Sequence, residues 1–346
     1  MFKSVLIFIF IVAIFLLLGC ADEESEVPPP GPIEPASLFV ANMTTLSVIN
    51  LEAGTVENNV FGLGSSPNDM TFVENLLIVV NSLSNDLNFF RVIQNDSLLS
   101  DGVVELGQYD NPWAATSDGK GHLLITNMMQ NSVSVLSLES REIERRLPAG
   151  MAPEPVIVEG EYAYVGNTAF DFGNYTYHDG SIWKYDLNTW EVVDSLLVGT
   201  NPQDIAMDPL GRFHVVCTGN YGDVAGKVYV VEPEALSVVM VIETGGTPNR
   251  VGFAPDSTAY LSAGGWGMAG APCGVVLRYR YDTGEILRGW EAPIQVGLGA
   301  TDIAVADSGR VFVCCFDDNR IDELHADTIC ASFIVGTGPC AMLARE

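Results

Sequence analysis

The chain has 346 residues, with 16 Lys and Arg against 44 Asp and Glu, so its formal net charge at pH 7 is −28. Lys and Arg supply most of the affinity of proteins for phosphate backbones and anionic lipid headgroups, so this balance excludes nucleic-acid binding and favours cationic partners. Hydrophobic residues make up 48% of the chain and charged residues 17%, which indicates a folded core rather than a disordered chain.

The N-terminus has the pattern of an exported protein. Lys3 precedes an apolar run from Val5 to Leu18, which is shorter than the about 20 residues that a membrane-spanning helix needs. The residues LLGC at 17–20 resemble the bacterial lipobox, whose cysteine is lipidated after cleavage. This resemblance implies that Cys20 carries the lipid anchor and is the only membrane contact. Ala21 after the cysteine implies sorting to the outer membrane or cell surface.

The chain divides into three predicted segments. Residues 1–19 are the signal peptide. Residues 20–35 hold the lipidated cysteine and an acidic, proline-rich sequence that cannot bury a core and should form an extended tether. Residues 36–346 are then the folded domain.

The folded domain repeats one unit at intervals of about 45 residues, which is typical of four-stranded propeller blades. Short segments of alternating apolar and polar residues lie between Gly, Asn, Asp and Pro, and this pattern predicts strands rather than helices. Each unit has a turn proline or its equivalent before its first strand, at Pro67, Pro112, Pro153, Pro202, Pro248, Ala300 and Pro339.

The two ends of the folded domain supply complementary parts of one unit. Residues 338–346 contain only a first strand, and residues 36–60 contain the later strands without a first one. Pairing them closes a ring and removes the exposed sheet edges of an open array. The sequence therefore predicts an all-β, seven-bladed β-propeller closed by its N- and C-terminal segments in one blade.

Two segments carry a resemblance to a known family. ITNMMQNSVSVLSL (125–138) and YVGN (164–167) resemble the bacterial YVTN-type β-propeller repeat family. The resemblance implies the same seven-bladed fold over essentially all of 36–346. It also implies a cell-envelope or surface location, and the wider seven-bladed group includes lactonases.

The position two residues after the turn proline is predicted to ring the mouth of the central channel. It is occupied by three carboxylates, Asp69, Asp204 and Asp302, and by the guanidinium of Arg250. Clustered carboxylates suit a hard cation such as Ca²⁺. Two other interpretations remain open: the aspartates cap backbone amides in the turns, or they form ion pairs with Arg250.

The loops between the second and third strands are long in three neighbouring blades, at 168–180, 220–226 and 264–274. Long loops on a rigid scaffold often carry recognition residues. These loops either bind a ligand or pack their large side chains on one another. The candidate binding residues in them are Phe170, Phe172, Tyr175, Tyr177, His178, Tyr221, Trp266 and Met268. Arg250, at the channel mouth, is a further candidate binding residue.

Besides Cys20, six cysteines lie in the domain. An exported domain permits disulfides such as Cys217–Cys273 or Cys273–Cys315, and buried free thiols are the alternative.

Two functions follow from these patterns. The first is a non-enzymatic binding or scaffold module that presents its loop-rich face to an envelope protein, a peptide or a glycan. The second is a lactonase-like hydrolase that holds a divalent cation, Ca²⁺ for example, at the central channel, with metal-bound water as nucleophile. The first is preferred because the sequence shows no recognisable nucleophile, base or ligand triad.

Overall fold

The computed structural model describes residues 36–266 and 272–345. The predicted signal peptide (1–19), the tether (20–35) with Cys20, and Met268 lie outside the described residues. Within those two ranges, no helical segment is long and apolar enough to cross a membrane.

The structure is a seven-bladed β-propeller, as the repeats predict, and its blades are antiparallel sheets arranged in a ring. Blades 1 to 6 follow the chain from Pro67, and blade 7 joins the two ends. The strands up to residue 148 are β1 (Ser37–Asn42), β2 (Thr45–Asn50), β3 (Thr55–Gly62), β4 (Pro67–Val73), β5 (Leu76–Asn81), β6 (Asp86–Val92), β7 (Leu98–Glu105), β8 (Pro112–Ser117), β9 (His122–Asn127), β10 (Ser132–Ser137) and β11 (Ile143–Pro148).

Blade 3 differs from the earlier blades by a small extra hairpin, β14–β15, inserted between β13 and β16, and blade 4 is again a four-stranded sheet. The only helical turns in the described ranges are the short 3₁₀ segments Gln94–Asp96 and Met128–Gln130. The strands of blades 3 and 4 are β12 (Pro153–Glu159), β13 (Tyr162–Asn167), β14 (Phe170–Asp171), β15 (Thr176–Tyr177), β16 (Asp179–Asp186), β17 (Glu191–Thr200), β18 (Pro202–Met207), β19 (Phe213–Cys217), β20 (Lys227–Glu232) and β21 (Ser237–Ile242).

Blade 5 contains a fifth strand, β26, which pairs with β24. The remaining strands are β22 (Pro248–Phe253), β23 (Thr258–Trp266), β24 (Pro272–Arg280), β25 (Ile286–Arg288), β26 (Ile294–Gln295), β27 (Ala300–Val305), β28 (Val311–Cys315), β29 (Arg320–His325), β30 (Thr328–Ile334) and β31 (Pro339–Arg345).

Every innermost strand begins at the residue predicted as a turn proline or its equivalent. Proline has no N–H to donate to a ladder, so it fits the first residue of a strand and fixes the entering turn. Ala300 takes this place in blade 6. The first strands of all seven units therefore line the central channel, with their proline ends at one face of the ring.

Blade 7 closes the ring as the two chain ends predict. Strand β31 pairs with β1 in an antiparallel register that runs from Ser37 opposite Arg345 to Ala41 opposite Ala341. The blade order is β3-β2-β1-β31, so the C-terminal strand is the innermost one. This pairing leaves neither end of the sheet array open.

The apolar core lies between neighbouring blades. Second strands such as β5 and β28 are buried on both faces, and they read as continuous apolar runs for that reason. One cluster joins Phe39 of blade 7 to Leu77 and Phe90 of blade 1, and similar clusters recur around the ring. Each blade is thus stabilised mainly by its two neighbours.

In four blades, the second strand ends in a buried Asn at the last position of the YVTN-like tetrapeptide. The Asn42 side-chain amide donates a hydrogen bond to the Ser47 hydroxyl on the third strand at 2.9 Å, and Asn127 does the same with Ser134 at 2.9 Å. The asparagine therefore ties the second strand to the third in the blades that carry it, at Asn42, Asn81, Asn127 and Asn167.

Cysteines replace this asparagine in two other blades. Cys217 and Cys315 end β19 and β28, and burial raises the pKa of each thiol to about 12. The six cysteines within the described ranges are all free thiols, and Cys314 is also buried. The disulfides considered from the sequence are not formed. The buried cysteines Cys217, Cys314 and Cys315 instead pack as small apolar side chains.

A substitution at Gly264 tests how closely blade 5 packs against blade 6. A Cβ at Gly264 would lie 2.5 Å from the carbonyl oxygen of Ala300 and 2.6 Å from its nitrogen. Backbone atoms cannot rotate away, so we expect Gly264→Ala to lower the free energy of unfolding by about 1–3 kcal/mol. Gly62→Ala is the matched control, because a Cβ there would meet no atom within 4 Å. Urea unfolding of both variants checks this, and equal stability would contradict the close packing.

Candidate binding site at the channel mouth

A cavity of about 390 Å³ lies at the end of the channel where the innermost strands begin. Loop side chains from blades 4, 6 and 7 add Tyr221, Phe316 and Met43 to its wall. The position directly after the turn proline lines it in six blades, with Asn68, Trp113, Gln203, Asn249, Thr301 and Cys340. Most of these side chains are neutral and polar or aromatic.

Arg250 lies across the channel at the base of this cavity. Its Nη1 donates to Asp204 Oδ1 at 3.2 Å and to the carbonyl oxygen of Gln203 at 3.4 Å, both in blade 4. Its Nη2 donates to the carbonyl oxygen of Asn68 in blade 1 at 3.5 Å. The guanidinium of blade 5 therefore contacts opposite sides of the ring.

The three predicted aspartates share one arrangement, which we call the inter-blade clasp. Each carboxylate accepts a hydrogen bond from a backbone N–H of the next blade, three residues after that blade's turn proline. The pairs are Asp69 with Ala115 at 2.9 Å, Asp204 with Val251 at 2.9 Å, and Asp302 with Met342 at 2.6 Å.

The sequence left three interpretations of these aspartates open: a cation site, caps of backbone amides, and ion pairs with Arg250. The aspartates do hold backbone amides, as one interpretation predicted, and they hold them in two places. Each accepts from the neighbouring blade, and Asp302 also accepts from the adjacent N–H of Ile303 at 2.8 Å. Asp204 also forms the ion pair with Arg250, with side chains 13% and 21% exposed. Among the described residues, no three His, Cys, Asp or Glu side chains are grouped so that they could hold a metal ion. The charges of Asp69, Asp204 and Asp302 act instead on the guanidinium of Arg250.

Burial sets the protonation of these carboxyl groups. It raises the pKa of Asp69 and of Asp302 to about 6, although Arg250 and the donated amides act in the opposite direction. The pKa of Asp204 is also raised by burial, against the same kind of opposition. Burial alone would lower the pKa of Arg250, but the charges of the three aspartates outweigh it, so the guanidinium stays charged.

Glu154 is a site residue that the sequence analysis missed. It directly follows Pro153, so in blade 3 it has the place of the cavity-lining residues of the other blades. The residue is 1% exposed, and no described atom forms a hydrogen bond with its Oε2. Burial raises the pKa of Glu154 to about 8, with Arg250 opposing. Its position after the turn proline was the signal available in the sequence.

The aromatic loop residues of blades 3 and 4 are brought together. The Phe170 ring lies 4.9 Å from Phe172, 4.7 Å from Tyr177 and 6.3 Å from Tyr175, centroid to centroid. Tyr177 in turn lies 6.1 Å from Tyr221. The loops therefore pack on one another, which was one of the two predicted outcomes, and Tyr175 remains 80% exposed.

The other predicted loop residues have separate positions. The backbone N–H of His178 donates to the carbonyl oxygen of Ala169 at 3.1 Å, closing the β14–β15 hairpin. Trp266 ends β23, and Met268 is not among the described residues. Of the predicted binding set, Tyr221 and Arg250 line the cavity itself.

A second cavity, of about 440 Å³, lies along the far halves of the innermost strands. Its lining is mainly apolar, with Phe253, Ile303 and Leu343 among its residues. Asp208 lies there too, but Arg212 and His214 contact its carboxylate. The buried carboxyl groups with raised pKa values are therefore concentrated at the proline end of the channel.

No protein-family model matches this sequence, and no curated protein matches it either. Solved structures do resemble it. A putative 6-phosphogluconolactonase from Bacteroides uniformis has 12% identity, covers 90% of this chain and 100% of its own, and gives a TM-score of 0.69. Hydrazine synthase from Kuenenia stuttgartiensis has 15% identity over 80% of this chain and 88% of its own, with a TM-score of 0.66. Apo AztD from Citrobacter koseri has 14% identity over 90% and 98%, with a TM-score of 0.56. At these identities the likeness concerns the fold.

The clasp at Asp204 can be tested by comparing two substitutions. Asp204→Ala removes the acceptor for the Val251 amide and the partner of Arg250, so we expect a loss of about 3 kcal/mol in the free energy of unfolding. Asp204→Asn keeps a carbonyl acceptor and should lose roughly half as much. Asp307→Ala, in an exposed turn, is the control and should change little. Equal effects of the three substitutions in urea unfolding would disprove the clasp.

The buried carboxyl group of Glu154 should make the free energy of unfolding depend on pH. Its raised pKa means that the folded protein holds the Glu154 proton more tightly than the unfolded chain, so stability falls as pH rises toward and through about 8. Glu154→Gln should lack this loss, and its advantage over the wild type should grow by about 2 kcal/mol between pH 6.5 and 9. Glu105→Gln, at an exposed residue, should follow the wild type. A constant difference between Glu154→Gln and wild type across this range would overturn the assignment.

Proposed function

We propose that this chain is a cell-envelope lipoprotein whose β-propeller is a binding module and receives its ligand at the channel mouth. The observation that carries the proposal is the cavity of about 390 Å³, lined at one equivalent position by six blades. Ligand pockets are usually concave sites of about 300–1,000 Å³ in which a few polar groups fix the orientation of the ligand. This cavity has that size, and its amide and hydroxyl groups converge from several blades.

The partner is an envelope protein, a peptide or a glycan. The packed aromatic loops of blades 3 and 4 form one wall beside the cavity, and Tyr221 belongs to both. Aromatic side chains provide large contact areas at low conformational-entropy cost, which suits recognition of such partners. The long loops therefore support a binding face that is wider than the cavity.

Binding is favoured over hydrolysis by the role of the channel carboxylates. Asp69, Asp204 and Asp302 hold backbone amides of the next blades, and Arg250 lies among them. A divalent cation placed there would meet the repulsion of the guanidinium. The putative 6-phosphogluconolactonase among the similar structures keeps a lactonase-like, metal-dependent hydrolase as the alternative.

The location proposed for this module is the bacterial outer membrane or cell surface. Its support is the lipobox resemblance at 17–20 and the acidic, proline-rich tether up to residue 35.

The proposal is tested with the fragment 36–346 on arrays of glycans and of peptides, at moderate ionic strength. We expect selective binding that Trp113→Ala reduces at least about tenfold, because Trp113 supplies aromatic contact area inside the cavity. Leu210→Ala, at an exposed turn that the cavity lining does not include, is the matched control and should bind normally. Binding unaffected by Trp113→Ala, or calcium-dependent lactone hydrolysis that Asp204→Asn abolishes, would contradict the proposal.

A further inference from the structure

The charges at the channel mouth are not balanced by the protein itself. Four carboxyl groups, those of Asp69, Asp204, Asp302 and Glu154, act on one guanidinium, that of Arg250. Asp204 is the one in contact with Arg250, at 3.2 Å. Asp69 and Asp302 have backbone donors as well. Glu154 is thus the carboxyl group with the weakest compensation.

One carboxyl oxygen of Glu154 is buried without a hydrogen-bond partner, which is energetically unfavourable. Its Oε2 is buried and has no hydrogen-bond partner among the described atoms. Leaving such a group unpaired in a low-dielectric site is unfavourable, so unpaired groups of this kind call for an explanation. The equivalent residues of the other six blades line the cavity, and Glu154 has the same place in blade 3 but is buried.

The cavity wall next to Glu154 is aromatic. Trp113, Tyr221 and Phe316 come from three different blades and line the same cavity. The negative charge of Glu154 is felt by the hydroxyls of Tyr177 and Tyr221, so the carboxyl group lies near this wall. Aromatic faces attract organic cations, and a desolvated cation gains the most from them.

We infer that the chemical group bound in this cavity is an organic ammonium ion, held by the Glu154 carboxylate and by the aromatic faces of Trp113 and Tyr221. This inference rests on the proposed function, because it names the chemistry of the ligand at that same site. The net charge of −28 attracts cations to the protein as a whole. An ammonium group would also supply the positive charge that the mouth lacks.

Binding of a cation at this point is coupled to proton loss. The groups that face Glu154 are Arg250, which stays charged, and Tyr177 and Tyr221, whose pKa values are raised by burial so that both stay neutral. A bound ammonium ion favours the ionised carboxylate, so the affinity should rise with pH until Glu154 is ionised without ligand. At pH 6.5 the affinity should be about thirtyfold weaker than at pH 9, in proportion to the ionised fraction of a carboxyl group with a pKa of about 8.

The test compares choline with its neutral isostere 3,3-dimethylbutan-1-ol by isothermal titration calorimetry on the fragment 36–346. Ionic strength is held constant, because a protein of this charge attracts cations non-specifically at low salt. We expect choline to bind at least about tenfold more tightly than the isostere at pH 9. Titrations near pH 7.5 in buffers of different ionisation enthalpy should show that a proton is released on binding.

Two variants show whether the preference for choline arises from Glu154 and Trp113. Glu154→Gln should remove the preference for choline, the proton release and the pH dependence together. Trp113→Leu should weaken choline binding while the pH dependence remains. Glu105→Gln, at an exposed residue outside the cavity lining, should bind like the wild type. A lysine-bearing peptide and its Nε-acetylated form make the same comparison for an ammonium group carried by a peptide.

The outcomes separate this inference from the proposed function. Equal binding of choline and its isostere, or choline binding that Glu154→Gln does not change, would overturn the ammonium assignment. The proposed function would still stand if a neutral glycan or peptide bound in a manner sensitive to Trp113→Ala. Displacement of choline by equimolar Ca²⁺ would also overturn the ammonium assignment, because a metal ion would then be the preferred occupant. Failure of every probe on the arrays and in calorimetry would reject both.

Discussion

The inter-blade clasp is the interaction on which the rest of the structure depends. The innermost strands of a propeller surround a channel, so contacts between neighbouring blades must hold them together. Here three carboxylates each take a backbone N–H from the following blade, and Arg250 reaches across the ring from blade 5 to blades 4 and 1. The cost is the burial of an excess of carboxyl groups, and it is this burial that raises the pKa values of Asp69 and Asp302 to about 6. The same excess gives the cavity above it its chemical character.

Most of the fold could be predicted from the sequence because the repeating unit is short and begins with a proline. Pro67 and its equivalents mark every innermost strand, and the incomplete units at the two ends identify the closing blade. The site was harder to predict. The register shifts between Pro67 and Asp69, and again near Pro202, so simple alternation along the strand does not say which residues face the channel. The backbone donors from the next blade lie 40 to 47 residues away from the aspartates, which a local pattern cannot reveal.

The loops show a further reason why the sequence left alternatives open. Phe170 packs against Phe172 and Tyr177, so the hairpin of blade 3 has its own small aromatic cluster. Tyr175 stays exposed and Tyr221 joins the cavity. Packing and recognition are therefore combined: the ring contacts hold the loop in place, and that fixed loop offers a preorganised surface to a ligand. Composition alone could not distinguish the residues that support the loop from those that face outward.

Native-state hydrogen exchange at the clasped amides tests the central claim most directly. In the wild type, the N–H groups of Ala115, Val251 and Met342 should exchange only through global unfolding, because a carboxylate holds each of them. In Asp204→Ala, which removes the acceptor, the Val251 amide should exchange through a smaller, local opening, while Ala115 and Met342 keep most of their protection. Exchange of the Val251 amide at the same rate in both proteins would show that the carboxylate does not hold the blades together.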